Sequence, residues 1–333
     1  MQPSRRIAVI GAGVIGLSTA YNILDAVPGV EVTIFYESSS PNTTSDVAAG
    51  IWTPHLCLNT PAERLMRWAT ETWRHLSMLA HSELAVETGT FFASGRFVHR
   101  QRVDDPIWKE VVIGYRKLTE EELRTYGDAY KDGYFYTTVV CHSASYLPWL
   151  AERIRSKGGR IQRKKVCSFA ELADFDVVVN CAGNGARDLC GDASLRSIRG
   201  HVIRGKAPWI KHFVIAPDDD LHVLCSPDGI VMGMTYRDDD DPKPKQADRE
   251  RILRGCARLV PSVVKATELR DWIGFRPVRD AVRLEVEQLS VPGGTLAVVH
   301  NYGHASSGVT FHWGCAREAA AMVGQLVGRK GKL

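Results

Sequence analysis

Three glycines, Gly11, Gly13 and Gly16, carry the spacing G-x-G-x-x-G directly after the apolar run Ile7-Ala8-Val9-Ile10. The first permits a tight turn, the second lets backbone approach a pyrophosphate, and the third lets a helix pack close on a sheet. A helix starting there offers unpaired N–H groups and a partial positive charge to phosphate. Glu37 closes the next apolar run, at the distance where a carboxylate accepts hydrogen bonds from a ribose. The glycine pattern alone is a weak signal. Strand, helix, second strand and acid in that order make it a dinucleotide site, with Gly11, Ala12, Gly13, Val14, Ile15, Gly16 and Glu37 as its residues. The fingerprint does not choose between NAD and FAD.

Two further stretches have residue types suited to chemistry. Thr43-Thr44-Ser45-Asp46-Val47-Ala48-Ala49-Gly50-Ile51-Trp52 offers hydroxyls and amides that can wrap a pyrophosphate, then small residues that can approach a flat ring. From residue types alone it reads equally as a polar loop before a tight contact. Arg276 sits in Gly274-Phe275-Arg276-Pro277. A guanidinium can grip a carboxylate with two parallel hydrogen bonds, although an arginine in a loop is more often a solvated charge.

These residues need elements to hold them. Arg6–Ile10 reads as a buried parallel strand; Val14, Leu17, Tyr21 and Leu24 recur at helical spacing; Pro28-Gly29 ends that helix; Val30–Tyr36 is a second strand. Further helices are expected over Pro61–Ser77, Pro148–Lys157, Gln246–Leu259 and Val309–Val327, with Pro148 in the first turn of its own. Strands are expected over Thr90–His99, Gly133–Val140 and Thr295–His300, and Phe175–Gly183 reads as a strand entering a glycine turn. Val202–Arg237 is strand-rich, broken at Pro217-Asp218-Asp219-Asp220, and Asp238–Pro244 is a charged loop.

At roughly 100–200 residues per domain, 333 residues suggest two domains. A net charge of +4, with Lys and Arg scattered, argues against nucleic acid. No apolar run reaches the roughly 18 residues that a membrane span needs. The eight cysteines form no CxxC pair, which argues against a metal site and for free thiols in a reducing compartment.

Several long, ordered motifs resemble the D-amino-acid oxidase and D-aspartate oxidase family. They are the Thr43–Trp52 loop, Tyr146-Leu147-Pro148-Trp149-Leu150, Ala207-Pro208-Trp209, Gly274-Phe275-Arg276-Pro277-Val278-Arg279 and the run from Asn301 to Ala316. The similar stretches extend from Arg6 to about Val327, nearly the whole chain. The resemblance implies an α/β fold: a Rossmann-like FAD-binding domain (residues 1–56, 142–194 and 286–333) interleaved with an α+β substrate domain built on an antiparallel sheet (57–141 and 195–285). It implies non-covalent FAD lined by Thr43, Thr44, Ser45, Ala49, Gly50, Ile51 and Trp52. Val166 would lie on the adenine side, and Ser306, Ser307, Gly308, Val309 and Thr310 would close over the flavin ring. Thr310 would start the last helix, whose positive end stabilises negative charge on the reduced ring.

By the same resemblance, Arg276 would pair the substrate's α-carboxylate, with Tyr236 and Ser306 nearby. The α-hydrogen would pass as hydride to FAD, and water and oxygen would complete a 2-oxo acid, ammonia and hydrogen peroxide. No general base is expected, because the cofactor carries the chemistry. Relatives with tyrosines on a lid differ from this chain, whose matching segment, Asp218–Asp228, has none; His222 stands there as either a pocket group or an exposed loop histidine. Ile215 falls where acidic-substrate relatives place an arginine, which implies neutral or basic D-amino acids. Asp218, Asp219 and Asp220 on that lid would add to this preference. The near alternative is a D-aspartate oxidase, with Arg237 turned inward; a flavin-fold protein that binds nucleotide without turnover and a glycine or sarcosine oxidase are the others, and Arg279 and Arg283 are left as structural. The expected partners are a D-amino acid and molecular oxygen, with a homodimer left open and neither nucleic acid nor membrane. Gly331-Lys332-Leu333 resembles a peroxisomal address; without it the expected location is cytoplasmic.

Overall fold

The apolar runs form strands. In the computed structural model, which describes residues 4–54, 59–227 and 229–330, thirteen strands among the described residues join into one sheet. In chain order they are β1 (Arg5–Ala12), β2 (Val30–Ser39), β3 (Thr90–His99), β4 (Ile113–Lys117), β5 (Asp132–Cys141), β6 (Arg160–Arg163), β7 (Val177–Asn180), β8 (Arg196–Lys206), β9 (Phe213–Ala216), β10 (Leu221–Ser226), β11 (Gly229–Gly233), β12 (Thr267–Val291) and β13 (Gly294–His304). Their spatial order is β4-β5-β3-β9-β10-β11-β8-β12-β13-β7-β1-β2-β6. The tail Gly331-Lys332-Leu333, Cys57, Asp228 and the expected 56/57 boundary lie outside the described residues.

One half, β6-β2-β1-β7-β13, is parallel. Consecutive residues such as Ile7, Ala8 and Val9, or Val177, Val178 and Val179, are fully buried. Both faces are therefore covered, as continuous apolar strands require. The other half is antiparallel apart from one parallel pair, β3 with β9. β12 joins the two: its first part pairs with β8 and its second part with β13. The expected 285/286 boundary falls inside it. Gly-Phe-Arg-Pro is therefore strand rather than loop.

The helices are α1 (Val14–Ala26), α2 (Thr44–Val47), α3 (Ala62–Ala80), α4 (Ala85–Thr88), α5 (Glu120–Arg124), α6 (Ser143–Ser156), α7 (Ala186–Cys190), α8 (Gln246–Leu259) and α9 (Gly308–Lys330). α1 packs between α6 and α9, and α9 also meets α3. α3 buries Leu65, Trp68, Trp73, Leu76 and Leu79 at helical spacing. A β-carbon on Gly314 would fall 2.3 Å from the Trp68 Cα, so α9 needs glycine to reach α3. α6 begins at Ser143, which puts Pro148 inside the helix instead of in its first turn. Pro148 lacks only the N–H that would reach back to Ala144, on the first turn.

The middle of the segment expected as a lid is sheet, and Pro217–Asp219 before it is a 3-10 turn. Leu221–Ser226 is β10, paired on both sides by β9 and β11. Alternation explains this. Val223, Met232 and Ile203 pack beneath α8 against Ile252 and Cys256. Their strand neighbours His222, Gly233 and Val202 face the opposite way, and that opposite face is the floor of the site.

Candidate functional site

A cavity of ≈ 600 Å³ opens along the carboxyl ends of β1 and β2 and continues across the face of β8–β12. Its first section is built by the β1–α1 turn. Gly11 has φ of +108°, and a β-carbon there would sit 2.4 Å from the Cys181 carbonyl oxygen. One on Gly16 would sit 1.9 Å from the Gly11 carbonyl oxygen, so α1 can start against β1 only with glycine at 16. Gly13 is more open, its nearest neighbour being Ser45 Oγ at 3.2 Å. Ser45 Oγ accepts a hydrogen bond from the Val14 N–H at 3.0 Å and thereby ties the α2 loop to the start of α1.

That loop is held from behind. Asp46 is buried and accepts hydrogen bonds from the Thr43 hydroxyl at 2.6 Å and the Ser40 hydroxyl at 2.6 Å. Arg204 donates to the Asp46 and Ala48 carbonyls at 2.8 and 3.2 Å. Gly50 adopts φ of +78° where a β-carbon would strike the Cys141 carbonyl oxygen at 2.0 Å. Extended backbone follows, and its alternation sends neighbouring side chains to opposite sides. Ile51 lines the cavity. Trp52 does not: it is fully buried, donates Nε1–H to the Ala69 carbonyl at 3.0 Å and packs against Trp73 and Trp108.

Of the residues expected around the cofactor, Gly11, Ala12, Gly13, Val14, Ile15, Glu37, Thr43, Thr44, Ser45, Ala49, Gly50, Ile51, Val166, Ser306, Gly308 and Val309 all line this cavity. Gly16, Trp52, Ser307 and Thr310 lie behind the wall. The Thr310 hydroxyl donates to the Thr53 carbonyl at 3.2 Å and accepts from the Thr53 N–H at 3.3 Å, pinning the start of α9 to the chain after Trp52. Ser307 is buried at the turn before α9, where its N–H meets the His304 carbonyl at 2.9 Å. Lys165, not expected from sequence, pairs with Glu37 at 2.9 Å on the rim.

The far section of the cavity gathers Ile215, His222, Tyr236, Ser306 and Arg276. Arg276 is half-buried, and its open side is the cavity. Nη1 donates to the Thr235 carbonyl at 3.1 Å, Nη2 reaches Met234 Sδ at 3.5 Å, and the Tyr236 ring lies 4.3 Å from the guanidinium carbon. Among the described residues it has no carboxylate partner. Loss of solvent pushes its pKa down, against the influence of Tyr236 and Asp220, yet a guanidinium stays charged. The wall thus presents a cation still short of an anion.

Several other charges nearby are committed elsewhere, whereas Asp220 is exposed and acts on Arg276. Arg237 pairs outward with Asp248 at 3.1 Å. Asp219 pairs with Arg100 at 2.6 Å, and Asp218 accepts the Arg100 N–H at 2.7 Å, so these two lid acids do not face the site. Arg279 pairs with Asp192, and Arg283 with Glu285 and Glu287. His304 also lines the cavity, and burial pushes its pKa down to about 3. It is therefore a neutral imidazole near neutral pH.

The bare glycine turn, the helix start behind it and the small residues of the α2 loop suit a dinucleotide whose pyrophosphate lies close to backbone. Residues 6–322 match the family described as FAD dependent oxidoreductase. The chain belongs to that family. Among similar proteins, the D-aspartate oxidase of Homo sapiens is 40% identical over 326 residues, covering 97% of this chain and 95% of its own length. The D-amino-acid oxidase of Rubrobacter xylanophilus is 37% identical over 325 residues, covering 96% of each. The glycine oxidase from Geobacillus kaustophilus superposes with a TM-score of 0.75 at 18% identity, covering 98% of this chain and 95% of the other, which shows a shared fold. The cofactor of this oxidoreductase is FAD.

Sequence reasoning missed the glycines of the far section. A β-carbon on Gly200 would fall 2.3 Å from Arg276 Nη1, and one on Gly274 would fall 2.9 Å from Val47 Cβ. Isolated glycines inside apolar strands were the available signal, since such positions often mark close approach.

Proposed function

We propose that this protein oxidises D-amino acids at the carbon that bears the amine, and that it prefers uncharged side chains. The observation carrying the proposal is Arg276, a desolvated cation without a carboxylate partner among the described residues, facing the cavity. When bound, FAD takes two electrons from the substrate and passes them to oxygen, giving hydrogen peroxide and an imine that water converts to a 2-oxo acid and ammonia.

The chain's own residues bind and orient. Gly11, Gly13 and the start of α1 would hold the pyrophosphate, Glu37 the adenosine ribose, and Val166 the adenine side. Ser306, Gly308 and Val309 would flank the ring system. Arg276 would take the α-carboxylate with two donors, fixing the α-carbon relative to the ring. Tyr236 would cover that pair. The interleaved division given above, with residues 1–56, 142–194 and 286–333 serving the cofactor, belongs to the same proposal.

Ile215, Leu224 and Val202 supply an apolar wall for the side chain. A second carboxylate would be buried there without a cation, which is strongly unfavourable. Of the three acids expected to favour basic side chains, Asp218 and Asp219 are engaged by Arg100, and Asp220 acts on Arg276 itself. A second reading, preference for acidic D-amino acids, draws on the similarity to the human D-aspartate oxidase. A peroxide assay over D-alanine, D-phenylalanine, D-lysine and D-aspartate separates the two. The proposal expects D-alanine and D-phenylalanine to lead, and Ile215→Arg to raise kcat/KM for D-aspartate while lowering it for D-phenylalanine. A wild-type protein most efficient on D-aspartate overturns it.

A further inference from the structure

The floor of the far section carries glycine at several positions. Ile215 on β9 lies opposite His222 on β10, His222 opposite Gly233 on β11, and Gly233 opposite Val202 on β8. Directly opposed residues of antiparallel strands share a face, so these four form one row across the sheet. Gly200, two residues from Val202, shares that face, and it lies opposite Gly274, two residues from Arg276.

Two of these three glycines, Gly200 and Gly233, are covered by neighbouring side chains. A β-carbon on Gly200 would meet Arg276 Nη1 at 2.3 Å, Cζ at 2.6 Å and Nη2 at 2.6 Å. The guanidinium therefore lies flat on this glycine. A β-carbon on Gly233 would meet His222 Nε2 at 2.9 Å and Cε1 at 3.0 Å, with Val202 Cγ1 also at 2.9 Å. The imidazole therefore lies along the sheet over Gly233. That is why His222 lines the cavity and Gly233 does not.

We propose that Gly233 determines which substrate side chains fit, by letting His222 lie down along the sheet; Gly200 does the same for Arg276 and hence for every carboxylate. This rests on the substrate reading above. With a methyl at 233, His222 loses its bed. Val202 closes one side of the row and Ile215 the other, so the ring's remaining space is the cavity itself. A ring raised there takes the volume that a large side chain would use and leaves room for a small one. Gly233 is thus a positioning residue acting through His222.

The test compares wild type, Gly233→Ala, His222→Ala, the double variant and Gly200→Ala, each first checked for FAD content. Gly233→Ala lowers kcat/KM for D-phenylalanine about tenfold or more, the scale of overpacking a tight site, mainly through KM; D-alanine falls much less. In the His222→Ala background the added methyl changes D-phenylalanine by no more than about twofold, because the coupling has been removed. Gly200→Ala lowers both substrates alike. Equal losses for D-alanine and D-phenylalanine in flavin-loaded Gly233→Ala overturn the proposal, as does an undiminished loss in the His222→Ala background. The Kd of phenylacetate against acetate, read from the flavin spectrum, gives the same comparison without turnover. If wild type oxidises neither amino acid, the substrate reading fails, and this ratio still decides the role of Gly233.

Discussion

Arg276 directs two donors at a backbone carbonyl and a thioether, both weak partners for a cation. Removing it should cost substrate binding in the transition state about 2–5 kcal/mol, because the substrate carboxylate would then lie unpaired in a desolvated site. Arg276→Ala should lower kcat/KM roughly 30- to 5,000-fold, to a similar degree for every amino acid tried, with FAD content unchanged. Steady-state kinetics on D-alanine and D-phenylalanine checks this; a loss confined to one of them contradicts the role. Arg276 was legible as a residue type beside aromatic and proline. Its flat seat on Gly200 was not, since a glycine shows in sequence only what it lacks. Trp52 was misplaced for a related reason. The direction of a side chain on extended backbone depends on register, and register is set by partners such as Val139, whose carbonyl accepts the Trp52 N–H at 2.9 Å.

At the scale of elements, the start of α9 rests on a buried polar chain. His312 Nδ1 lies 2.7 Å from the Val309 carbonyl, so that nitrogen carries the proton. His312 Nε2 then accepts from the Tyr146 hydroxyl at 3.0 Å, and His75 Nε2–H donates to the Tyr146 oxygen at 2.8 Å. Burial pushes His312 down to about 4 and His304 to about 3, and lowers His75 well below its usual value. These imidazoles stay neutral in the fold but protonate in the unfolded chain below about pH 6.5. The unfolded state then binds more protons, so stability is complete above about pH 6.5 and declines as pH falls towards the folded values. Each such group contributes about 1.4 kcal/mol per pH unit across that window. Carboxylates act lower; Arg116, for example, holds Glu122 at about 2. Thermal unfolding of the holoprotein should therefore show a falling Tm between about pH 6.5 and 5, with a shallower slope in His312→Asn; a flat Tm across that interval contradicts it. The helix carrying His312 was readable from its apolar period. The chain linking three elements was not, because it depends on long-range packing.

Across the whole molecule, the sheet is continuous, and the cavity runs over both halves. The parallel half was readable, since strand, glycine turn, helix and strand follow one another within the first 40 residues. The antiparallel half was readable as strands but not as an arrangement. β9, β10, β11 and β8 acquire their order only when β12, starting more than 30 residues after β11, closes the sheet on β13. The continuity also places the catalytic demand. On the proposed reading, a dinucleotide on the parallel half would present its reactive ring towards Arg276 on the antiparallel half, and a carboxylate held there would turn one face of its α-carbon towards that ring. The chirality of the substrate is therefore the most direct test. The FAD-loaded protein should be mixed with D-alanine and, separately, with L-alanine without oxygen while the visible flavin absorbance is followed. D-alanine should bleach the flavin and L-alanine should leave it yellow; bleaching by L-alanine at an equal or greater rate, or no bleaching by D-alanine, contradicts oxidation of D-amino acids.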